Sequence, residues 1–92
     1  MGMTVYDNQP PTLLLVDIPH QIKGTARMIL YRDTEAEVLW SGKGAAMGFL
    51  CMQAAKLALK AKPAMVVVSG PAQHIINDIR NLSGVSAIYH HP

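Results

Sequence analysis

Two apolar runs, Thr12 to Ile18 (TLLLVDI) and Met65 to Val68 (MVVV), constrain this chain more than any other feature. A strand with one wet face alternates apolar and polar side chains, whereas a run without that alternation needs cover on both faces. Such strands belong in the middle of a sheet. Between them lies Ala45 to Ala61, rich in Ala, Leu, Met and Lys, the segment of strongest helix propensity in the chain. Strand, helix, strand is the crossover that parallel neighbours need. Pro19 ends the first run, Lys62-Pro63 closes the helix, and Ser69-Gly70-Pro71 ends the second run.

The remaining elements are placed around that unit. Thr4 to Tyr6 reads as a short edge strand ended by Asp7-Asn8-Gln9-Pro10-Pro11, and Glu37 to Trp40 as a further strand. Ala72 to Leu82 carries Ile75, Ile76, Ile79 and Leu82 on one helical face, with Ser83-Gly84 as its cap and Val85 to Tyr89 as the last strand. Residues 21–32 (QIKGTARMILYR) fit two patterns. Ile22, Ala26, Ile29 and Leu30 share a helical face, while the alternation from Arg27 to Arg32 fits a strand paired across Asp33-Thr34-Glu35. We read it as a helix. The expected fold is a single two-layer α/β domain over residues 1–92, with a mostly parallel sheet of four or five strands, an N-terminal edge hairpin and three helices.

Composition narrows the function. The 92 residues suffice for one core; half are hydrophobic and 15% charged. The net charge of +2 is dispersed over eight cations without a dense basic run, which argues against a dedicated nucleic-acid surface. Cys51 is the one cysteine, so no internal disulfide forms and a reducing compartment is the simplest home. The N-terminal residues lack the pattern of a secretory signal, and no apolar window reaches about 18 residues, so the expectation is a cytoplasmic chain without membrane insertion. The six methionines are read as core filler.

Several chemical motifs fail on spacing. Gly42-Lys43-Gly44 precedes a helix, but no Ser or Thr follows the lysine, so it lacks the hydroxyl that a Walker-type loop offers to magnesium. Lys43 at that helix start could still hold a small anion, which defines the alternative reading as an anion binder or enzyme. Ser69 is read as a helix cap. His20, His74, His90 and His91, with Asp17 or Asp78, assemble no triad by spacing. His90 and His91 would point to opposite faces of a strand and do not chelate one ion, and Cys51 is expected to be buried and inert. No catalytic residue, cofactor or metal is expected.

The positive signal is on the long helix. Gln53, Lys56 and Lys60 form one polar stripe, which runs toward the N-terminus onto Phe49, with Met52 at its edge. An exposed aromatic and a methionine rimmed by lysines make a contact surface. Ser41, Lys43, Ala46, Met47, Phe49, Met52 and Lys56 are therefore the expected partner-binding residues, with Phe49 as anchor. A self-associating chain using the same patch is a further possibility.

From Gly48 to Tyr89, GFLCMQAAKLALKAKPAMVVVSGPAQHIINDIRNLSGVSAIY resembles the second half of a STAS domain (sulfate transporter and anti-sigma factor antagonist). Leu82-Ser83-Gly84-Val85 and Ile88-Tyr89 carry the closing part of that pattern. The resemblance implies a STAS-like fold and a non-enzymatic module that docks another protein, such as an anti-sigma kinase or a transport ATPase, and not nucleic acid. Ala45-Ala46-Met47-Gly48 stands where regulated members carry Asp-Ser-x-Gly, so the phosphorylation switch of that family is missing. A strand at residues 22–32 would break the topology of the family. RMILYRD and GKGAAMGFLCMQAAK also resemble the peptidyl-tRNA hydrolases of the archaeal and eukaryotic type, with Lys43 matching the first lysine of that motif and Ala45 replacing the second.

Overall fold

Both apolar runs lie side by side in the centre of one sheet. The computed structural model describes residues 12–91, so the expected strand at residues 4–6 and the turn after it lie outside the described residues. Along the chain come β1 (Leu13–Asp17), β2 (Thr25–Tyr31), β3 (Ala36–Lys43), α1 (Met47–Ala61), β4 (Met65–Ser69), α2 (Ile76–Ser83) and β5 (Ala87–His90). A 3-10 turn, Gln73–Ile75, leads into α2. The five strands stand in the order β3-β2-β1-β4-β5. β1 pairs antiparallel with β2 and parallel with β4, β2 pairs antiparallel with β3, and β4 pairs parallel with β5.

Residues 25–31 are thus a strand, which corrects the helix expected over residues 21–32. Ala26, Met28 and Leu30 are buried while Arg27 and Tyr31 are exposed, the period of two that a strand requires. An isolated segment of this length fits either period; pairing with strands on both sides decides it. The turn beyond it is closed by Arg32 N–H donating to the Glu35 carbonyl at 2.8 Å and by an Arg32–Glu37 ion pair at 3.0 Å. In consequence the sheet is mixed rather than mostly parallel, the described residues hold two α-helices rather than three, and the element order expected from the STAS resemblance is not the one taken.

Both crossovers, β3 to β4 through α1 and β4 to β5 through α2, move across the sheet in one direction. Right-handed connections therefore lay both helices on one face. That face carries the core: Leu14, Val16, Met28, Val66 and Val68 from the sheet, Leu50, Ala54 and Ala58 from α1, and Ile75, Ile76 and Ile79 from the turn and α2. The alanines of α1 let it approach the strands closely. Leu82, expected on the core face of α2, is instead 48% exposed.

The helix ends show which local signals held. Lys62 caps α1 in the left-handed region (φ 48°) before Pro63, and Gly84 caps α2 at φ 72° with its N–H on the Arg80 carbonyl. Ser69 is not a cap; it is the last residue of β4, and neither the 3-10 turn nor α2 has a side-chain N-cap.

Candidate nucleic-acid interface

The C-terminal ends of β1, β3, β4 and β5, the start of β2 and the N-terminus of α1 all meet at one end of the sheet, where open α/β sheets place their ligands. Gly70 makes that end possible. Its φ is +103°, and a Cβ there would stand 1.9 Å from the Ile18 carbonyl oxygen. The close approach lets Ile18 N–H donate to the Ser69 carbonyl at 2.9 Å, and the Tyr89 hydroxyl donates to the Gly70 carbonyl. The ends of β1, β4 and β5 are thereby tied to each other.

Register places five polar side chains in one row across this end. Ser41 pairs with Arg27, Arg27 with Asp17, Asp17 with Ser69, and Ser69 with His90. All five alternate away from the buried helix-side residues, so they share the sheet face opposite the helices. On the helix side of the same end opens a cleft of about 220 Å³, with Ala26, Gly42 and Leu50 in its lining. The β1–β2 loop, with His20 and Gln21, forms one wall, and Gly42, Gly44 and Met47 form another. Lys23 follows the lining residue Ile22, Lys43 lies between Gly42 and Gly44, and Lys43 pairs with Thr25 two residues from Arg27. Lys23 in the β1–β2 loop, Arg27 at the start of β2 and Lys43 at the end of β3 thus stand at this end of the sheet, Arg27 and Lys43 on the face opposite the helices. The first turn of α1 beside them contains no acid, and its Ala46 cap makes no side-chain hydrogen bond. The acids of the β2–β3 hairpin, Asp33, Glu35 and Glu37, lie at the opposite end of the sheet.

The seven expected binding residues fall on two surfaces that meet at the β3 edge. Ser41 and Lys43 point to the open sheet face, and Met47 lines the cleft. Gly42 and Lys43 are strand rather than the helix-mouth loop expected of them, since β3 runs to Lys43 and α1 starts only at Met47. Ala46 is the exposed N-cap position. Phe49, Met52 and Lys56 lie on the outer side of α1, with Phe49 50% and Met52 51% exposed. Phe49 is not alone there: its ring stands 5.6 Å from that of Trp40, tilted by 54°. Trp40, Arg27 and Lys23 are the members sequence reasoning missed, because only strand register and, for Lys23, the β1–β2 loop bring them to this end.

The other candidates separate. His90 ends β5, and the His91 ring packs edge-on against Tyr89 at 4.8 Å. Cys51 is buried between the helices and the sheet; burial, and secondarily the Asp78 carboxylate, push its thiol above the ordinary value, so it stays protonated at neutral pH. Among the described residues, no three His, Cys, Asp or Glu side chains stand together as a metal site, and Asp17 is the single carboxylate at the cleft end. No helix among them is long and apolar enough to cross a membrane.

No protein-family model and no curated protein matches the chain. Solved structures do. RuvC from Thermus thermophilus superposes with a TM-score of 0.60 at 12% identity, over 88% of this chain and 64% of RuvC. T. thermophilus RuvC in complex with Holliday junction substrate gives 0.62 at 12% identity, over 89% of this chain and 65% of that one. A chain of the PCNA:RNase HII complex from Archaeoglobus fulgidus gives 0.58 at 12% identity, over 87% and 62%. The chain spans less than two thirds of the length of each, and at this identity the likeness establishes the fold. These findings correct two expectations, the non-enzymatic STAS-type docking module and the exclusion of nucleic acid. The folded chain resembles RuvC, one structure of which holds a Holliday junction. The physical reason for the second error is that strand pairing sets Arg27 and Lys43 at one end of the sheet although the sequence separates them.

Proposed function

We propose that this chain is a nucleic-acid-binding domain that grips the phosphate backbone at the cleft end of its sheet. The observation that carries the reading is that Lys23, Arg27 and Lys43 stand at the end of the sheet where α1 begins, with Asp17 as the single carboxylate there among the described residues. Lys and Arg neutralise phosphates and release the counterions condensed on them, which is the main source of sequence-independent affinity. Unpaired amides at a helix start favour the same anion. The likeness to RuvC in complex with a Holliday junction supports nucleic acid over other polyanions.

Cleavage of a phosphodiester by a pair of metal ions needs several acidic ligands converging on one point. Asp17 has Arg27 and Ser69 as its register neighbours, not further carboxylates, so the described residues do not fit such a centre. Backbone binding is the function they support.

Fluorescence anisotropy with a labelled four-way junction and with linear duplex, across a salt series, tests this. The expected result is an affinity that falls steeply with salt. The Lys23→Ala, Arg27→Ala, Lys43→Ala triple variant should flatten the log–log slope by about 0.9 for each phosphate it no longer neutralises. No product should appear with Mg²⁺ or Mn²⁺. Wild-type affinity in the triple variant would remove the cleft end from the interface.

A further inference from the structure

We infer that the Trp40–Phe49 pair is a stacking platform for an unpaired base, so that the preferred ligand is single-stranded nucleic acid running from the cleft end along the β3–α1 edge. The inference rests on the nucleic-acid reading above and adds the strand type. The rings come from different elements. Trp40 lies on the helix side of β3, and Phe49 is the third residue of α1. Gly42 gives the indole its place: a Cβ at Gly42 would stand 2.8 Å from two ring atoms of Trp40, so the ring lies along the strand only because that side chain is missing. The rings are tilted by 54° to each other, and Phe49 remains half exposed. An exposed aromatic face takes any base, since every base has a π-face.

Charge around the platform fits a polyanion. Lys56 and Lys60, both exposed, continue the stripe that begins at Phe49 along α1. α1 carries no acid, and the one acid of β3, Glu37, is held by Arg32 at 3.0 Å. Alternating aromatic and cationic groups along a surface are what single-strand binders use, the cations tracking the backbone while bases stack. A duplex keeps its bases stacked and paired, and so could use the cations but not the rings.

Trp40 is the sole tryptophan, so its fluorescence reports on the platform directly. The full chain is titrated with an oligothymidylate of about twelve nucleotides, within the usual site size, and with duplex of equal length. The single strand is expected to quench Trp40 and to bind about tenfold more tightly than the duplex, the factor of one good stacking contact. Phe49→Leu, which keeps apolar volume without the ring, should bring single-strand affinity down to that of the duplex and leave the duplex unchanged. Phe49→Tyr should retain the preference, and thermal unfolding checks that both variants are folded. Wild-type single-strand affinity in folded Phe49→Leu overturns the platform. Salt-dependent duplex binding with no single-strand preference overturns this inference and leaves the backbone-binding reading standing, whereas failure of both probes to bind ends both. A solution mass of two chains that falls to one in Phe49→Asp would give the patch to a second copy of this chain, which also overturns it.

Discussion

The two ends of the same sheet are built on different physics. At the cleft end, β1, β4 and β5 are held by backbone contact: Gly70 against Ile18, Ile18 N–H on Ser69, the Tyr89 hydroxyl on Gly70. At the far end, the β2–β3 hairpin turns through Asp33 to Glu35 and is fastened by one backbone hydrogen bond and an exposed ion pair. The first arrangement admits almost no side-chain change, because nothing can be inserted between two backbones in contact. The second tolerates change, because exposed ion pairs contribute little in water. Most of the described glycines lie at the rigid end with Lys23, Arg27 and Lys43, and the hairpin acids Asp33, Glu35 and Glu37 lie at the tolerant one. A binding site needs groups held in fixed relation, and only the first end supplies that.

Three substitutions grade the contrast. Gly70→Ala should be the most damaging, at about 3 kcal/mol in chemical denaturation, since it combines an unfavourable φ with a clash against the Ile18 backbone. A loss below about 1 kcal/mol would mean that the two chain segments part easily and that the cleft end is not rigid. Tyr89→Phe removes one hydroxyl from the same end and should cost about 1 kcal/mol by the same measurement, leaving the Gly70 carbonyl without that donor. At the hairpin end, Arg32→Ala should cost less than about 0.5 kcal/mol, because both partners of its ion pair are more than two-fifths exposed. A loss as large as that of Tyr89→Phe would erase the proposed difference between the ends.

Much of the fold was legible along the chain. The unalternating runs at Leu13–Asp17 and Met65–Ser69 announced the central parallel pair, and the Ala-rich stretch announced its crossover. Lys62-Pro63 and Ser83-Gly84 marked helix ends through local backbone preference, which needs no distant partner. Residues 25–31 were not legible, because Ile29 and Leu30 serve a helical face or a strand equally well until β1 and β3 lie on either side. That single element decided whether the sheet was parallel or mixed, and with it the resemblance on which the expected function leaned.

The binding surface divides in the same way. Phe49, Met52 and Lys56 were found from sequence because helical period relates them at short range, and the structure keeps them on the outer side of α1. Trp40 joined Phe49, and Arg27 came to the same sheet end and face as Lys43, only through strand register and the direction of the crossover. Sequence by itself determined the α/β class, the central strands, the long helix and its outward stripe, since each follows from periodicity or propensity within one segment. Tertiary structure alone decided the antiparallel β2, the row from Ser41 to His90 and the meeting of Trp40 with Phe49, because strand pairing and packing join residues whose separation along the chain carries no signal.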